Sequence, residues 1–326
     1  MATGKQRIGV ALGSGSARGW AHIGVLQQLE TMGIRPEIVC GCSIGSIVGA
    51  AYAVDNLTKL EQWALSLTRL EMMRYFELNT SFKGFIHQQR LRQFFHEHVC
   101  ADQQSIEGLT KPFAAVATDL HSGREVWFTQ GKVIDAVWAS IAIPGLFKPF
   151  HHDGKWLVDG GLVNPVPVSL CRALGADLII AVNLNGNVSR RISPPKDPKT
   201  AETPKLKDDT TLPENPSSSS NQSPSNRLVS SVTSSLRNYA ETLFPDHKST
   251  PTAPGIAETI MGSVYIMQDV ITRSRMAGDP PEILLKPRVA DVGLLEFYRA
   301  AEAIEEGKQC VIRMEAEITM AMEASQ

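Results

Sequence analysis

The chain opens with one short pattern used twice: an apolar run of strand length, a glycine-bearing turn, and a segment with helical spacing. Ile8 to Leu12 runs into Gly13-Ser14-Gly15-Ser16-Ala17-Arg18-Gly19. Ala17 to Met32 follows, with His22, Val25, Leu26 and Leu29 at helical intervals and a stop at Gly33. Ile38 to Cys40 then gives a second strand, and Ile44 to Val54 a helix rich in small residues: Gly45, Ser46, Gly49, Ala50, Ala51 and Ala53. Strand and helix keep alternating downstream. Helices are predicted at Leu57 to Leu70, Arg90 to His98 and Val133 to Ser140, and strands at Phe113 to Thr118, Glu125 to Phe128, Trp156 to Val158, Leu178 to Leu184 and Ile283 to Leu285. A terminal helix begins near Leu294. Such alternation predicts an α/β fold, a three-layer α/β/α sandwich with a mostly parallel sheet covered on both faces.

The alternation is interrupted once. From Asn187 to about Asn226 the chain is rich in Ser, Pro, Thr, Lys and Asp and almost empty of aromatics, and 10 of the 19 prolines fall between Pro194 and Pro254. A segment so poor in apolar residues cannot offset its ordering entropy by burial. Residues 187–255 are therefore expected to be a largely disordered insertion, with one short helix at Leu228 to Phe244, in a single domain formed by residues 1–186 and 256–326.

With 326 residues, 43% of them hydrophobic, the chain can bury a core without disulfides. Lys plus Arg number 32 against 34 Asp plus Glu, a net charge of −2 with no basic field for nucleic acid. The five cysteines, Cys40, Cys42, Cys100, Cys171 and Cys310, follow neither zinc-ligand nor disulfide spacing and read as reduced thiols of a cytoplasmic protein. The apolar run after the start breaks on Gly13 to Ser16, too early for a signal segment or a membrane span.

Chemistry concentrates at the glycine turns. Gly41-Cys42-Ser43-Ile44-Gly45 is a G-x-S-x-G sequence between strand and helix. A serine there is thrust out of the sheet, and the flanking glycines remove side chains that would block the sharp turn, so Ser43 is a candidate nucleophile. The turn from Gly13 to Gly19 can form a nest of amides for an anion, either a dinucleotide phosphate or an oxyanion. The dinucleotide reading is weakened because Arg18 stands where that fingerprint needs glycine and the second strand ends without an acid. A serine hydroxyl also needs a base. The order Ser43, Asp119, then His151 or His152 is formally that of a triad, but only one strand precedes the serine turn. Asp159-Gly160-Gly161 places a carboxylate at a strand end, where Asp before Gly is also an ordinary turn residue.

Taken together, Gly13 to Gly19, Gly41 to Gly45 and Asp159 to Gly161 resemble, in order, the three motifs of bacterial patatin-like phospholipases of the neuropathy-target-esterase type. Ala117-Thr118-Asp119-Leu120 and Ala139 to Gly145 also resemble segments of that family, so the likeness covers Gln6 to about Asn185. It implies a Ser-Asp dyad: Ser43 attacks an acyl ester and Asp159 takes its proton. The amides of Ser14, Gly15, Ser16 and Ile44 would receive the oxyanion, supported by Gly13, Gly19, Gly41, Gly45, Gly160 and Gly161. Arg18 would orient the loop or draw anionic head groups, if it is not simply a surface cation on the first helical turn. Neither metal nor cofactor is implied. The expected partners are phospholipid, lysophospholipid or other acyl esters, met by peripheral contact with the inner face of the membrane. Leu65, Leu67, Leu70, Met72, Met73, Tyr75 and Phe76 are an acyl wall or a lid, or else a core helix; Phe82, Phe85 and Ile86 say no more. Two other functions fit the same residues: a lipid acyltransferase, and a lipid-binding regulator with negligible turnover.

Overall fold

The computed structural model describes residues 6–75, 88–186 and 256–324. The expected insertion at 187–255, its helix at Leu228 to Phe244, and Phe76, Phe82, Phe85 and Ile86 lie outside the described residues.

In chain order the elements are β1 (Ile8–Leu12), α1 (Ala21–Thr31), β2 (Ile38–Cys42), α2 (Ile44–Ala53), α3 (Leu57–Ser66), α4 (Arg69–Tyr75), α5 (Gln88–Phe94), β3 (Phe113–Asp119), β4 (Glu125–Phe128), α6 (Val133–Ser140), β5 (Phe150–His152), β6 (Lys155–Asp159), α7 (Val168–Ala173), β7 (Leu178–Val182), α8 (Ile256–Gly278), β8 (Ile283–Leu285), α9 (Ala300–Arg313) and α10 (Glu315–Ala324). The strands make one eight-stranded sheet in the order β5-β6-β3-β2-β1-β7-β8, with β4 paired to β3. Its centre, β3-β2-β1-β7-β8, is parallel, and the pairs made by β4, β5 and β6 are antiparallel.

Both faces are covered, as an all-parallel centre requires. Val10, Leu12, Val39, Ala115, Ile180 and Val182 face a large core that includes Ile23, Leu26, Val48, Val137 and Ile304 from helices. Ala11, Cys40, Ala114, Val116, Ile179 and Ala181 face a smaller core with Leu170 and Cys171 of α7. The alternation along each strand thus produces the three-layer α/β/α sandwich expected from sequence.

One junction in the sheet decides where the chemistry lies. Cys42 of β2 pairs with Val116 of β3, and Asp159 of β6 pairs with Ala117, the next residue along. The opposite edge of β3 at this point is occupied by β4, through Val116↔Trp127 and Ala117↔Val126. So β2 and β6 share one edge of β3 and run toward each other end to end.

Several bounds differ from the sequence expectation. The helix expected from Ala17 begins as a 3-10 turn, Ser16–Trp20, before α1. The helix expected over Leu57 to Leu70 breaks at Leu67, whose ψ of 125° is extended. Thr68 and Glu71 restart it as a capping box, with Glu71 Oε2 accepting from the Thr68 amide at 2.8 Å and Thr68 Oγ1 accepting from the Glu71 amide at 3.2 Å. The terminal helix starts at Ala300, after a 3-10 turn at Phe297–Arg299. The strand β5 and the helices α7 and α8 were not foreseen. Among the described residues, no helix is long and apolar enough to cross a membrane.

Candidate active site

Ser43 is the single residue between β2 and α2, and its backbone sits at φ 55°, ψ −124°. For a residue with a side chain this left-handed φ is strained by about 1–3 kcal/mol, tolerated only where neighbours enforce it. Here the Ser43 amide donates to Ser140 Oγ at 2.9 Å, and the Ser43 carbonyl accepts from the amide and hydroxyl of Ser46 at 2.8 and 2.6 Å. The flanking glycines are required by close approach. A Cβ at Gly41 would lie 2.4 Å from the Gly45 carbonyl oxygen, and one at Gly45 would lie 2.1 Å from that of Leu12.

Asp159 ends β6 at the junction described above. Its amide donates to the Ala142 carbonyl at 3.0 Å, and its carbonyl accepts from Thr118 Oγ1 at 2.8 Å. One carboxylate oxygen, Oδ2, accepts from Ser43 Oγ at 2.5 Å and the other from the Gly161 amide at 2.7 Å. The side chain is buried, and burial pushes its pKa up to about 6, against the opposing pull of those two hydrogen bonds. Ser43 and Asp159 therefore meet in the direct hydrogen bond that proton transfer between them needs.

The glycine-rich turn lies beside them. Gly13 donates to the Val182 carbonyl at 3.1 Å, and His22 Nε2 lies 2.8 Å from the Gly13 carbonyl oxygen. The Ser14 amide donates to the Pro165 carbonyl at 2.8 Å and is already committed, which removes it from the expected set of oxyanion donors. Among the described residues, the Gly15, Ser16 and Ile44 amides have no such backbone acceptor. Ser16, like Ser43, has a positive φ, 51°. Gly19 admits α2, since a Cβ there would lie 2.1 Å from Ile44 Cγ1, and Gly160 admits β3, with a Cβ 2.2 Å from the Val116 carbonyl oxygen. Arg18 is not a surface cation: it is buried, its Nε donates to the Gly15 carbonyl at 3.2 Å, and its guanidinium lies 4.3 Å from the centroid of the Tyr265 ring.

The alternative triad is not assembled. Asp119 uses its carboxylate on the His121 amide and the Ser122 hydroxyl at the β3–β4 turn, and His152 pairs with Asp153 on the β5–β6 hairpin. His22 is fully buried, and burial lowers its pKa to about 4, so it stays neutral and braces the loop. Burial likewise pushes the Cys42 thiol well above its ordinary value, leaving it unreactive.

Two cavities meet at Ser43 and Ser16. The larger, about 750 Å³, is apolar, walled by residues such as Trp20, Ile47, Trp63, Met72, Phe94 and Phe297. Of the stretch expected as an acyl wall or lid, Met72 lines it, Leu67 is buried, and Leu65 and Leu70 face outward. The smaller cavity, about 530 Å³, also contains Asp159 and is bounded by α8 through Val264, Tyr265 and Gln268. Gln268 Oε1 accepts from Ser14 Oγ and from Asn185 Nδ2, each at 3.0 Å. Sequence reasoning missed Thr118, Ser140, Asn185, Tyr265 and Gln268. Thr118 and Ser140 lie in the family-like segments Ala117 to Leu120 and Ala139 to Gly145, whereas nothing in the sequence singles out Asn185 or the two α8 residues.

Comparison with known proteins agrees with the three motifs. An uncharacterized NTE family protein of Mycobacterium tuberculosis is 41% identical over 181 residues, 56% of this chain and 50% of that protein. The human patatin-like phospholipase domain-containing protein 6 is 31% identical over 54% of this chain and 13% of its own length. Lysophospholipase NTE1 of Pyricularia oryzae is 26% identical over 92% of this chain and 18% of its own. The aligned part thus spans about half the length of the mycobacterial relative and far less of the others. A solved structure, VipD from Legionella pneumophila, aligns with 98% of this chain and 77% of that one at 12% identity, but with a TM-score of only 0.33. The sequence profile of the patatin-like phospholipases matches residues 10–172, half of the chain, and on that match the chain belongs to the patatin-like phospholipase family.

Proposed function

We propose that the protein is a serine acyl hydrolase of lipid esters, acting on phospholipids or lysophospholipids with Ser43 as nucleophile and Asp159 as base. The observation that carries this reading is the 2.5 Å hydrogen bond from a strained, turn-borne serine to a buried carboxylate, at the mouth of an apolar cavity. Family membership and the lysophospholipase among the relatives support the substrate class.

In the proposed cycle, Ser43 Oγ passes its proton to Asp159 Oδ2 as it bonds to the ester carbonyl carbon. The carbonyl oxygen becomes an oxyanion facing the amides of Gly15, Ser16 and Ile44. Removing one such donor generally costs about 2.7–4 kcal/mol of transition-state stabilisation. Collapse of the intermediate breaks the bond to the alcohol oxygen, which takes the proton from Asp159 and leaves an acyl-Ser43. Water then gives its proton to Asp159, its oxygen attacks the acyl carbon, and Ser43 departs with that proton as the fatty acid is released. Desolvation makes Asp159 a stronger base than a solvated carboxylate, since efficient proton transfer wants a pKa near the working pH.

Because Asp159 must be ionised to accept the proton, kcat/KM should fall on the acid side with a midpoint near pH 6 and level off above it. His22, near 4, titrates below that limb. A pH profile on a water-soluble ester checks this, and a flat profile from pH 5 to 8 would contradict it. The function itself is tested by incubating the purified protein with lysophosphatidylcholine and with a fluorophosphonate. Released fatty acid and a phosphonyl adduct mapped to Ser43 are expected; no product and no adduct would remove the enzyme reading in favour of a binding protein.

A further inference from the structure

An ester has two halves, and the two cavities meeting at Ser43 differ in chemistry. The larger offers hydrocarbon and aromatic rings and suits an acyl chain. The smaller one contains Ser43 and Asp159 and is lined as well by Tyr265 and Gln268 of α8. One of them is anomalous. The Tyr265 hydroxyl oxygen is buried and makes no hydrogen bond among the described residues. A buried hydroxyl without a partner is costly, and a phenylalanine would fill the same space without that cost. The Arg18 guanidinium lies over the ring, 4.3 Å from its centroid, and its charge acts on the hydroxyl against the effect of burial. Burial raises the Tyr265 pKa, which keeps the hydroxyl protonated and able to donate.

Gln268, one helical turn further on, has its carboxamide oxygen engaged by Ser14 and Asn185. That holds its amide nitrogen beside Gly161, where an added Cβ would lie 2.4 Å from Nε2. Tyr265 and Gln268 thus line a cavity that also holds Ser43 and Asp159.

We infer that the smaller cavity is the alcohol subsite, taking a glycerol backbone whose free hydroxyl hydrogen-bonds to Tyr265 Oη. This rests on the ester-hydrolase reading above and adds to it a preference for polyol over simple alkyl leaving groups. The alcohol half occupies this cavity before the acyl–oxygen bond breaks, and the released alcohol leaves from it with the proton delivered by Asp159.

The test compares wild type with Tyr265→Phe, which deletes one oxygen atom and keeps the ring under Arg18. Steady-state kcat/KM is measured for three esters of the same acyl chain: ethyl ester, monoacylglycerol and lysophosphatidylcholine. The ratio of monoacylglycerol to ethyl ester should fall about fivefold in the variant, the worth of one hydrogen bond, and lysophosphatidylcholine should fall with it. An unchanged ratio, with all three esters affected alike, would make Tyr265 structural and overturn the subsite while leaving the hydrolase reading intact. A fall confined to lysophosphatidylcholine would mean that the phosphate is what Tyr265 holds, and the hydroxyl assignment would fail. If wild type turns over none of the three esters, the hydrolase reading fails and the subsite with it.

Discussion

Replacing Asp159 with asparagine should lower ester turnover by roughly 10³-fold or more and at the same time make the protein harder to unfold at alkaline pH. The first effect follows from the loss of the base, a contribution of about 10²–10⁴ in most enzymes, since Asp159 is the group that accepts the Ser43 hydroxyl hydrogen bond. The second follows from burial. Folding lifts the Asp159 pKa from 3.8 to about 6, so the folded chain holds that proton more tightly than the unfolded chain does. The stabilising contribution is fully present below pH 3.8 and lost as pH rises through about 6, leaving an ionised group that costs about 3 kcal/mol at pH 8. Asparagine cannot ionise. Its oxygen can still accept from Gly161, and its amide can donate to Ser43 Oγ. Denaturant midpoints for wild type and Asp159→Asn should coincide near pH 4 and separate at pH 8, the variant being the more stable. An Asp159→Asn enzyme that keeps its activity, while His152→Ala loses it, would return the chemistry to a histidine.

Removing the nucleophile should have the largest effect on rate. Ser43→Ala is expected to lose at least about 10⁴-fold in turnover, since the amides and cavities that remain can only bind and polarise the ester. Alanine keeps the strained φ of 55°, whereas glycine occupies that region freely. Ser43→Gly should therefore be equally inactive yet more stable than Ser43→Ala, by about 1 kcal/mol or more. Thermal unfolding of the two variants side by side measures this difference, and equal melting temperatures would mean that the turn is not strained.

How much of this could be read from the chain depends on where each signal sits. The serine turn was legible because chemistry and backbone geometry coincide there: glycines that permit the turn flank the residue that uses it. Asp159, by itself an ordinary turn residue, stood out only through the resemblance of the three motifs taken together. Glu125–Phe128, Val133–Ser140 and Ile283–Leu285 were also legible, being short apolar segments with clear stops. The helix α8 was not, for a physical reason. Its inward side carries Gln268, Asp269 and Thr272, all buried, while Ile266, Met267 and Val270 are exposed, so its apolar pattern runs opposite to that of a helix laid on a core. A helix that brings polar groups to a site hides from any reading based on hydrophobic periodicity. The Ser14 amide escaped for another reason: its acceptor, Pro165, is remote in sequence, and only the fold shows that this donor is spent.

The end-to-end meeting of β2 and β6 along one edge of β3 has a mechanical consequence. The carboxyl sits on Asp159, paired with Ala117, and the hydroxyl on the residue after Cys42, paired with Val116. Both hang from neighbouring residues of β3, so twisting or bending of the sheet displaces them together and changes their separation little. Fraying of the rim helices would leave them aligned. The two groups lose register only when the middle of the sheet parts, so inactivation and collapse of the central layer should be the same event.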